Sequence, residues 1–432
     1  MKIKTKELPY QKVLKLTPKK RKKPIKPLFI LALVIRVLSF FELLKVGFKY
    51  KKIGMERLSK KEPCLILMNH SCFLDLKIVS ALLFPRRYNI VMTSDGFVGK
   101  NWLMRLVGCI PTQKFITDSV LVKDILHCVK KNNTSILMYP EASYSFDGTA
   151  TPLPESLGKL VKKLGIPVVM IKTFGAFSHD PLYNNLQKRK VKVSAVMEYL
   201  LSPDDIKSKS AEEINAILKE RFTFDNFRWQ QENGIKITEK FRADSLNRVL
   251  YKCPNCLSEG ETVGKGTTLT CKSCGKTYIL TEDGFIKAQN GETEFSHIPD
   301  WYAWQRECVK KEILNGEYRL QEKVDIYMLI DTKCVYKVGD GLLTHTKEGF
   351  ELVGCGGELQ FSHPSVASYS LYSDFYWYEI GDVISIGNSK VLYYCIPKTE
   401  KDIVAKARIA TEEIYKIAKA NRRKPKKEKT EE

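Results

Sequence analysis

The chain has 432 residues, 44% hydrophobic and 10% aromatic, which excludes a disordered or fibrous protein and allows two to four domains. Lys and Arg outnumber Asp and Glu by 71 to 49, a formal charge of +22, which suits a polyanionic partner: nucleic acid, an anionic membrane surface or an acidic carrier protein. Twelve cysteines, mostly scattered among apolar residues, exclude a dense disulfide framework and fit a reducing compartment.

The first recognisable element is "PLFILALVIRVLSFFELLKVGF" (27–48), preceded by the basic "PKKRKKPIK" (18–26). Its apolar length approaches that of a bilayer span, but Arg36, Glu42 and Lys45 interrupt it. A central Arg costs roughly 2.5–3.5 kcal/mol on insertion scales, so a helix lying in the interface, with its basic flank on anionic headgroups, is favoured over a single span. No small-residue cleavage site follows, against a signal peptide. Residues 1–50 are therefore expected to be a basic arm and membrane-associating helix. They would place the protein, monotopic or single-span, on the cytoplasmic face of the cell membrane.

After a basic joint at 49–52, short apolar strands alternate with helices. Strands are expected at 64–69, 89–94, 134–140, 166–177 and 190–200. Helices are expected at 75–84, 101–110, 119–132, 156–165 and 210–222, the last opened by a capping box of Ser210 and Glu213. This alternation is the pattern of an α/β layer built around a sheet, covering 51–246.

"CPNCLSEGETVGKGTTLTCKSC" (253–274) follows, in which two C-x2-C pairs stand fourteen residues apart. Cys253, Cys256, Cys271 and Cys274 can close a tetrahedral structural Zn2+ site, giving a zinc ribbon over 247–283 with no open position for catalysis. Residues 284–420 open with a helix at 298–314, continue as many short strands and close with a polar helix at 400–420. Such a β-rich domain with a terminal helix is compatible with a pleckstrin-homology-like architecture. The remainder, 421–432, reads as a disordered charged tail. No Gly-rich phosphate loop is present.

The chemistry is concentrated in "NHSCFLD" (69–75). Residues five apart on a helix point about 140° away from each other. His70 and Asp75 therefore meet only if His70 sits on a turn and Asp75 in the first turn of the following helix, which the strand–turn–helix pattern supplies. The carboxylate then fixes the imidazole tautomer and leaves the other ring nitrogen as a base. Cys72 raises the rival possibility of an acyl-enzyme, but a thiol at i+2 faces away from the histidine in most turns.

"NHSCFLD" resembles the N-H-x4-D motif of the glycerolipid (lysophosphatidate-type) acyltransferases. "YPEASYS" (139–145), about seventy residues downstream, resembles that family's Phe-Pro-Glu-Gly-Thr-Arg-Ser motif. "GCIPTQK" (108–114) and "GIPVVMI" (165–171) stand in the places of its second and fourth motifs, so the resemblance covers about 27–225. It implies an O-acyltransferase of phospholipid biosynthesis that moves a fatty acyl group from acyl-CoA or acyl carrier protein to a hydroxyl of a lysophospholipid or related glycerolipid. His70 would be the general base and Asp75 its orienting partner; Lys114, Glu141, Ser143 and Tyr144 would bind substrate. The partners implied are a lipid acceptor, an acyl donor and an anionic membrane surface, with no nucleic acid. Lys114 and Tyr144 replace two family arginines associated with the acceptor's phosphate, and Ala142 and Ser143 replace the glycine and threonine. One ammonium and one phenol do not reproduce a guanidinium fork, so a less charged acceptor than lysophosphatidate is expected. Two other classes fit parts of the chain: a basic zinc-ribbon protein binding nucleic acid, and a non-catalytic membrane scaffold.

Overall fold

A computed structural model describes residues 2–17, 21–116 and 118–423. The chain divides into two compact units, Lys19–Arg242 with Thr281–Phe285, and Met1–Pro18 with Ala243–Leu280 and Ile286–Glu432.

The first unit is an α/β layer around a seven-stranded sheet, in the order Lys49–Ile53, Ser194–Leu201, Val168–Phe174, Leu65–Met68, Ser135–Met138, Tyr88–Thr93, Cys109–Thr112. All neighbours are parallel except Val168–Phe174 with Ser194–Leu201. Leu65–Met68 lies in the middle and is buried at every residue. Its side chains alternate between two cores: Leu65 and Leu67 pack with Ile125, Val161 and Leu218, whereas Ile66 and Met68 pack with Ile78, Leu82 and Met197. Helices cover both faces, and the Ser210–Glu213 capping box is formed at the start of Ala211–Phe222. A second capping box, Ser202 with Asp205, opens Pro203–Ser208, a helix not anticipated from the sequence.

Two other differences are instructive. The basic joint forms an exposed edge strand, Lys49–Ile53, because its backbone completes the ladder beside Ser194–Leu201 while its lysines stay in solvent. The helix expected over 101–110 stops at Val107: Gly108 adopts φ 93°, and Cys109–Thr112 becomes the opposite edge strand.

Helix Phe29–Lys45 packs on helix Asp75–Leu83, burying Ser39 and Leu43, and Glu42 pairs with Lys77. Its outer side leaves Ile30, Val34, Val37, Leu38, Phe40, Phe41 and Leu44 exposed. No helix among the described residues is long and apolar enough to cross a membrane. Part of the basic flank is engaged by this unit: Arg21 pairs with Asp118 and Asp124, and Arg105 donates to the carbonyls of Lys22 and Lys23.

The second unit joins the cysteine ribbon, the β-rich region and the first residues of the chain. Helix Ile298–Leu314 is stapled to the ribbon: Trp301 donates its indole N–H to the Lys252 carbonyl, and Gln305 accepts from Lys252 N while donating to the Val249 carbonyl. The main sheet runs Leu359–Pro364, Gly349–Gly354, Val335–Thr346, Leu320–Leu329, Leu392–Pro397, Gly381–Gly387, Tyr372–Trp377, with every one of these neighbouring pairs antiparallel. Thr5–Glu7 adds a parallel strand beside Val335–Lys337, so the start of the arm belongs to this sheet. Helix Val404–Arg423 closes the unit through Arg306, which bonds both Glu412 and Glu413. The charged tail at 424–432 lies outside the described residues, and 421–423 is the end of this helix.

Candidate active site

Three adjacent parallel strands release their loops at one edge of the first unit's sheet. Leu65–Met68 leads to His70 and Asp75, Ser135–Met138 leads to Tyr139–Ser145, and Val168–Phe174 leads through Gly175 to Asp180. The carboxyl ends of parallel strands are where open α/β sheets assemble sites. Gly175 is required at its corner: its φ is 75°, and a Cβ there would lie 2.4 Å from the Lys192 carbonyl oxygen.

Asn69 anchors the histidine loop to the sheet, accepting from Thr173 N at 2.9 Å and donating to Ser71 Oγ at 3.0 Å. His70 follows on the turn, and Asp75 is the first residue of helix Asp75–Leu83. His70 Nδ1 lies 2.9 Å from Asp75 Oδ2, and the same oxygen accepts from Ser71 N at 3.0 Å and Cys72 N at 3.3 Å. The carboxylate side chain is buried, whereas the imidazole remains 19% exposed. A buried acceptor at Nδ1 selects the tautomer protonated there and directs Nε2 to a reactant.

Both faces of the imidazole are covered by tyrosines. Tyr139 stacks with ring centroids 4.3 Å apart and Tyr144 with centroids 4.0 Å apart, each at 29°. Burial lowers the His70 pKa below its ordinary 6.5; the Asp75 hydrogen bond and charge oppose that, and the Lys114 charge adds to it. The ring is thus neutral near pH 7, a state suited to taking a proton. The tyrosine faces also favour the imidazolium that forms when it does.

Glu141 is buried and ties the two loops together: Oε2 accepts from His70 N at 2.9 Å and Oε1 from Thr151 N at 2.8 Å. Ser143 is buried, and Ala142, at the family's glycine position, has φ 56°. That left-handed conformation costs an L-residue roughly 1–2 kcal/mol and fits the family's glycine better than alanine. Lys114 follows strand Cys109–Thr112 and lies within electrostatic reach of His70. Lys172, another candidate to replace a family arginine, directs its ammonium to the Thr223 carbonyl and the Phe224 ring.

Cys72 is buried, its thiol is held well above 9 by burial first and the Asp75 charge second, and its sulfur accepts from Leu74 N at 3.3 Å. A thiol so protonated is a poor nucleophile. Asp180, not anticipated from the sequence, is buried close to Cys72 and Asp75. No local motif marks it; only the neighbouring position of its strand brings it in.

In the second unit, the four ribbon sulfurs lie within 4.8 Å of one another. Cys253 and Cys274 are 3.8 Å apart, and Cys256 and Cys271 are 3.7 Å apart. A tetrahedron of zinc–thiolate bonds near 2.3 Å has edges of about 3.8 Å, whereas a disulfide bond is about 2.05 Å. Both knuckles use the same turn: Leu257 N donates to the Cys253 carbonyl and Gly275 N to the Cys271 carbonyl, with Leu257 at φ 64° and Gly275 at φ 73°. Four thiols on two matched turns fit a closed structural zinc site.

Residues 49–172 match the family model described as Acyltransferase. The chain is 31% identical over 127 residues to 1-acyl-sn-glycerol-3-phosphate acyltransferase BAT2, chloroplastic, of Brassica napus, covering 28% of this chain and 36% of that protein. It is 24% identical over 145 residues to 1-acyl-sn-glycerol-3-phosphate acyltransferase beta of Homo sapiens, covering 33% of this chain and 51% of that protein. The chain thus spans between a third and about half of the length of these curated relatives. Among solved structures, the 1-acyl-sn-glycerophosphate (LPA) acyltransferase PlsC of Thermotoga maritima matches with a TM-score of 0.37 and 16% identity, over 44% of this chain and 76% of that one. The motifs at His70 and Glu141 lie inside the segment that matches the Acyltransferase model.

Proposed function

We propose that the protein is an O-acyltransferase that moves a fatty acyl group from acyl-CoA or acyl carrier protein to a hydroxyl of a lysophospholipid or related glycerolipid. The observation that carries this reading is the 2.9 Å contact between His70 Nδ1 and the buried Asp75 carboxylate, at the sheet edge where three loops converge. His70 Nε2 takes the acceptor's hydroxyl proton as that oxygen attacks the thioester carbonyl. The tetrahedral intermediate collapses with cleavage of the C–S bond, and the imidazolium returns the proton to the leaving thiolate. Asp75 keeps its charge throughout and stabilises the imidazolium. Glu141 holds the His70 backbone and so fixes where Nε2 points. Substitution of His70 by Ala should lower kcat about 10²–10⁴-fold with little change in Tm. In the wild type, kcat/KM should fall with acid through a pKa below 6.5, because protonation removes the base. An acid limb centred at 6.5 or above, or normal turnover by His70→Ala, would return the histidine to a structural role.

The acceptor follows from the charges near the base. Lys114 supplies one cation, and Tyr144 places an aromatic ring where the family has an arginine. A lost charged hydrogen bond is worth roughly 1.5–3 kcal/mol, or about one to two decades in affinity. In a panel assayed with one acyl donor, a lysophospholipid or glycolipid with a larger, less charged headgroup should exceed lysophosphatidate in kcat/KM. Lysophosphatidate ahead by a decade would show that another cation grips the phosphate.

Seating at an anionic membrane surface is supported by the exposed apolar side of helix Phe29–Lys45 and by Lys49, Lys51 and Lys52 on the neighbouring edge strand. Phe73, beside Tyr144, and Leu76 are exposed as well. Each large apolar side chain that leaves water contributes about 1.5–3 kcal/mol. The double variant Leu38→Glu, Phe41→Glu should therefore release the protein from anionic vesicles in sedimentation, with its fold intact by circular dichroism. Unchanged sedimentation would remove this helix from the membrane contact.

The ribbon would hold one structural Zn2+ through Cys253, Cys256, Cys271 and Cys274, locking the two knuckles that helix Ile298–Leu314 packs against. The seven antiparallel strands and terminal helix beside it support the pleckstrin-homology-like reading of this region. Elemental analysis of protein purified without added metal should find one zinc per chain. Cys271→Ser should lose it and lower the Tm of the second unit. A metal-free wild type with four titratable thiols and an unchanged Tm would refute the site.

A further inference from the structure

One buried ionisable group at the sheet edge has no part in the chemistry above. Asp180 ends the short helix Ala176–His179 and is only 3% exposed. Its carboxyl group lies close to the Cys72 side chain, and its Oδ1 has no hydrogen-bond partner among the described residues. Cys72 in turn lies against Asp75: its N–H donates to Oδ2 at 3.3 Å and its sulfur is 4.0 Å from Oδ1. The chain of contacts therefore runs from His70 through Asp75 and Cys72 to Asp180.

We propose that Asp180 is a positioning residue for the His70–Asp75 pair, acting through the Cys72 thiol to set the electrostatic field behind Asp75 and hence the basicity of His70. The proposal deepens the acyltransferase reading and rests on it for the role of His70. A carboxyl group buried with one bare oxygen is costly if it serves packing alone, and an apolar or amide side chain would fill the same space more cheaply.

The charges around Asp180 come from several elements. Asp75 and Cys72 belong to the histidine segment, Lys77 to helix Asp75–Leu83, and Lys188 to the connection that follows, with His179 adjacent in sequence. Glu42, on helix Phe29–Lys45, pairs with Lys77 and lies 3.9 Å from Lys188. Burial pushes the Asp180 carboxyl up to about 7, the Asp75 charge adds to this, and the neighbouring Cys72 thiol and the two lysines oppose it. His70 loses its proton below 6.5. As pH rises, the imidazole thus becomes a base first. Asp180 then ionises and places a second negative charge beyond Asp75. That charge favours the imidazolium formed in the transition state, so the rate takes a second step upward.

The test reads His70 directly, by NMR of its ring from about pH 5 to 9, beside kcat/KM over the same range. The wild type should show two inflections, the upper near 7, whereas Asp180→Asn should show the lower one alone. Its kcat/KM at the alkaline end should be roughly three- to tenfold below wild type, the ratio shrinking toward acid. Asp180→Glu should keep two inflections with the upper one displaced, and serves if the amide variant does not fold. A single inflection in the wild type, or an upper inflection that survives in Asp180→Asn, would overturn the proposal. The NMR readout needs no substrate: two inflections in a protein that fails every acyl-transfer assay would refute the acyltransferase reading and leave the coupling standing.

Discussion

The site depends on one oxygen atom. Asp75 Oδ2 collects the His70 imidazole, the Ser71 N–H and the Cys72 N–H in a buried position. Two backbone donors pin the carboxylate to the turn that carries the histidine, so the ring and its acceptor move as one body. Hydrogen bonds from neutral donors stabilise the charged form against desolvation. The segment between them cannot be helical throughout, because helical spacing would turn residues 70 and 75 apart. The strand before and the helix after, fixed by cores on both sheet faces, hold the turn in the required shape.

The local geometry at this turn was legible in the sequence because every determinant lies within twenty residues: an apolar strand, a polar turn, an apolar-periodic helix. The same holds for the ribbon, where two C-x2-C turns repeat one backbone conformation, and for helix Ile298–Leu314, whose expected limits agree with the observed ones. What escaped was decided by distant partners. Lys49–Ile53 carries charges that say loop, yet an edge strand has only one neighbour to satisfy and its side chains are free to stay in water. Cys109–Thr112 was hidden in an apolar run that a helix pattern also explained until Gly108 ended it. Thr5–Glu7 pairs with residues some 330 positions away, which no local pattern encodes. Asp180 escaped for the same reason, arriving from a third strand.

The roles at the third-motif loop also read differently once the loop is seen. Sequence placed Glu141 with the substrate, whereas both its oxygens are committed to backbone N–H groups, one of them on His70. A buried carboxylate with such partners holds the His70 backbone and ties the two segments together. The departures from the family pattern cluster on this same loop. Ala142, at φ 56°, holds a left-handed conformation that a glycine would adopt without strain, so this turn is kept at a cost.

Two residues further on, the same loop places Tyr144 against the histidine. Its phenol ring lies on the imidazole of His70, which Tyr139 also stacks against. On the mechanism proposed above, an arginine there would add a full positive charge beside a histidine that becomes cationic, a cost of roughly a few kcal/mol at an effective dielectric near 20, offset when a phosphate arrives to neutralise it. A tyrosine removes that penalty and supplies a π face that welcomes the imidazolium. On that proposal the substitution exchanges dependence on a charged acceptor for a base that is ready without one. The loss of the arginine and the stacking of the histidine are then two sides of the same change, and both accord with the proposed preference for acceptors recognised by surface contact over those gripped by charge.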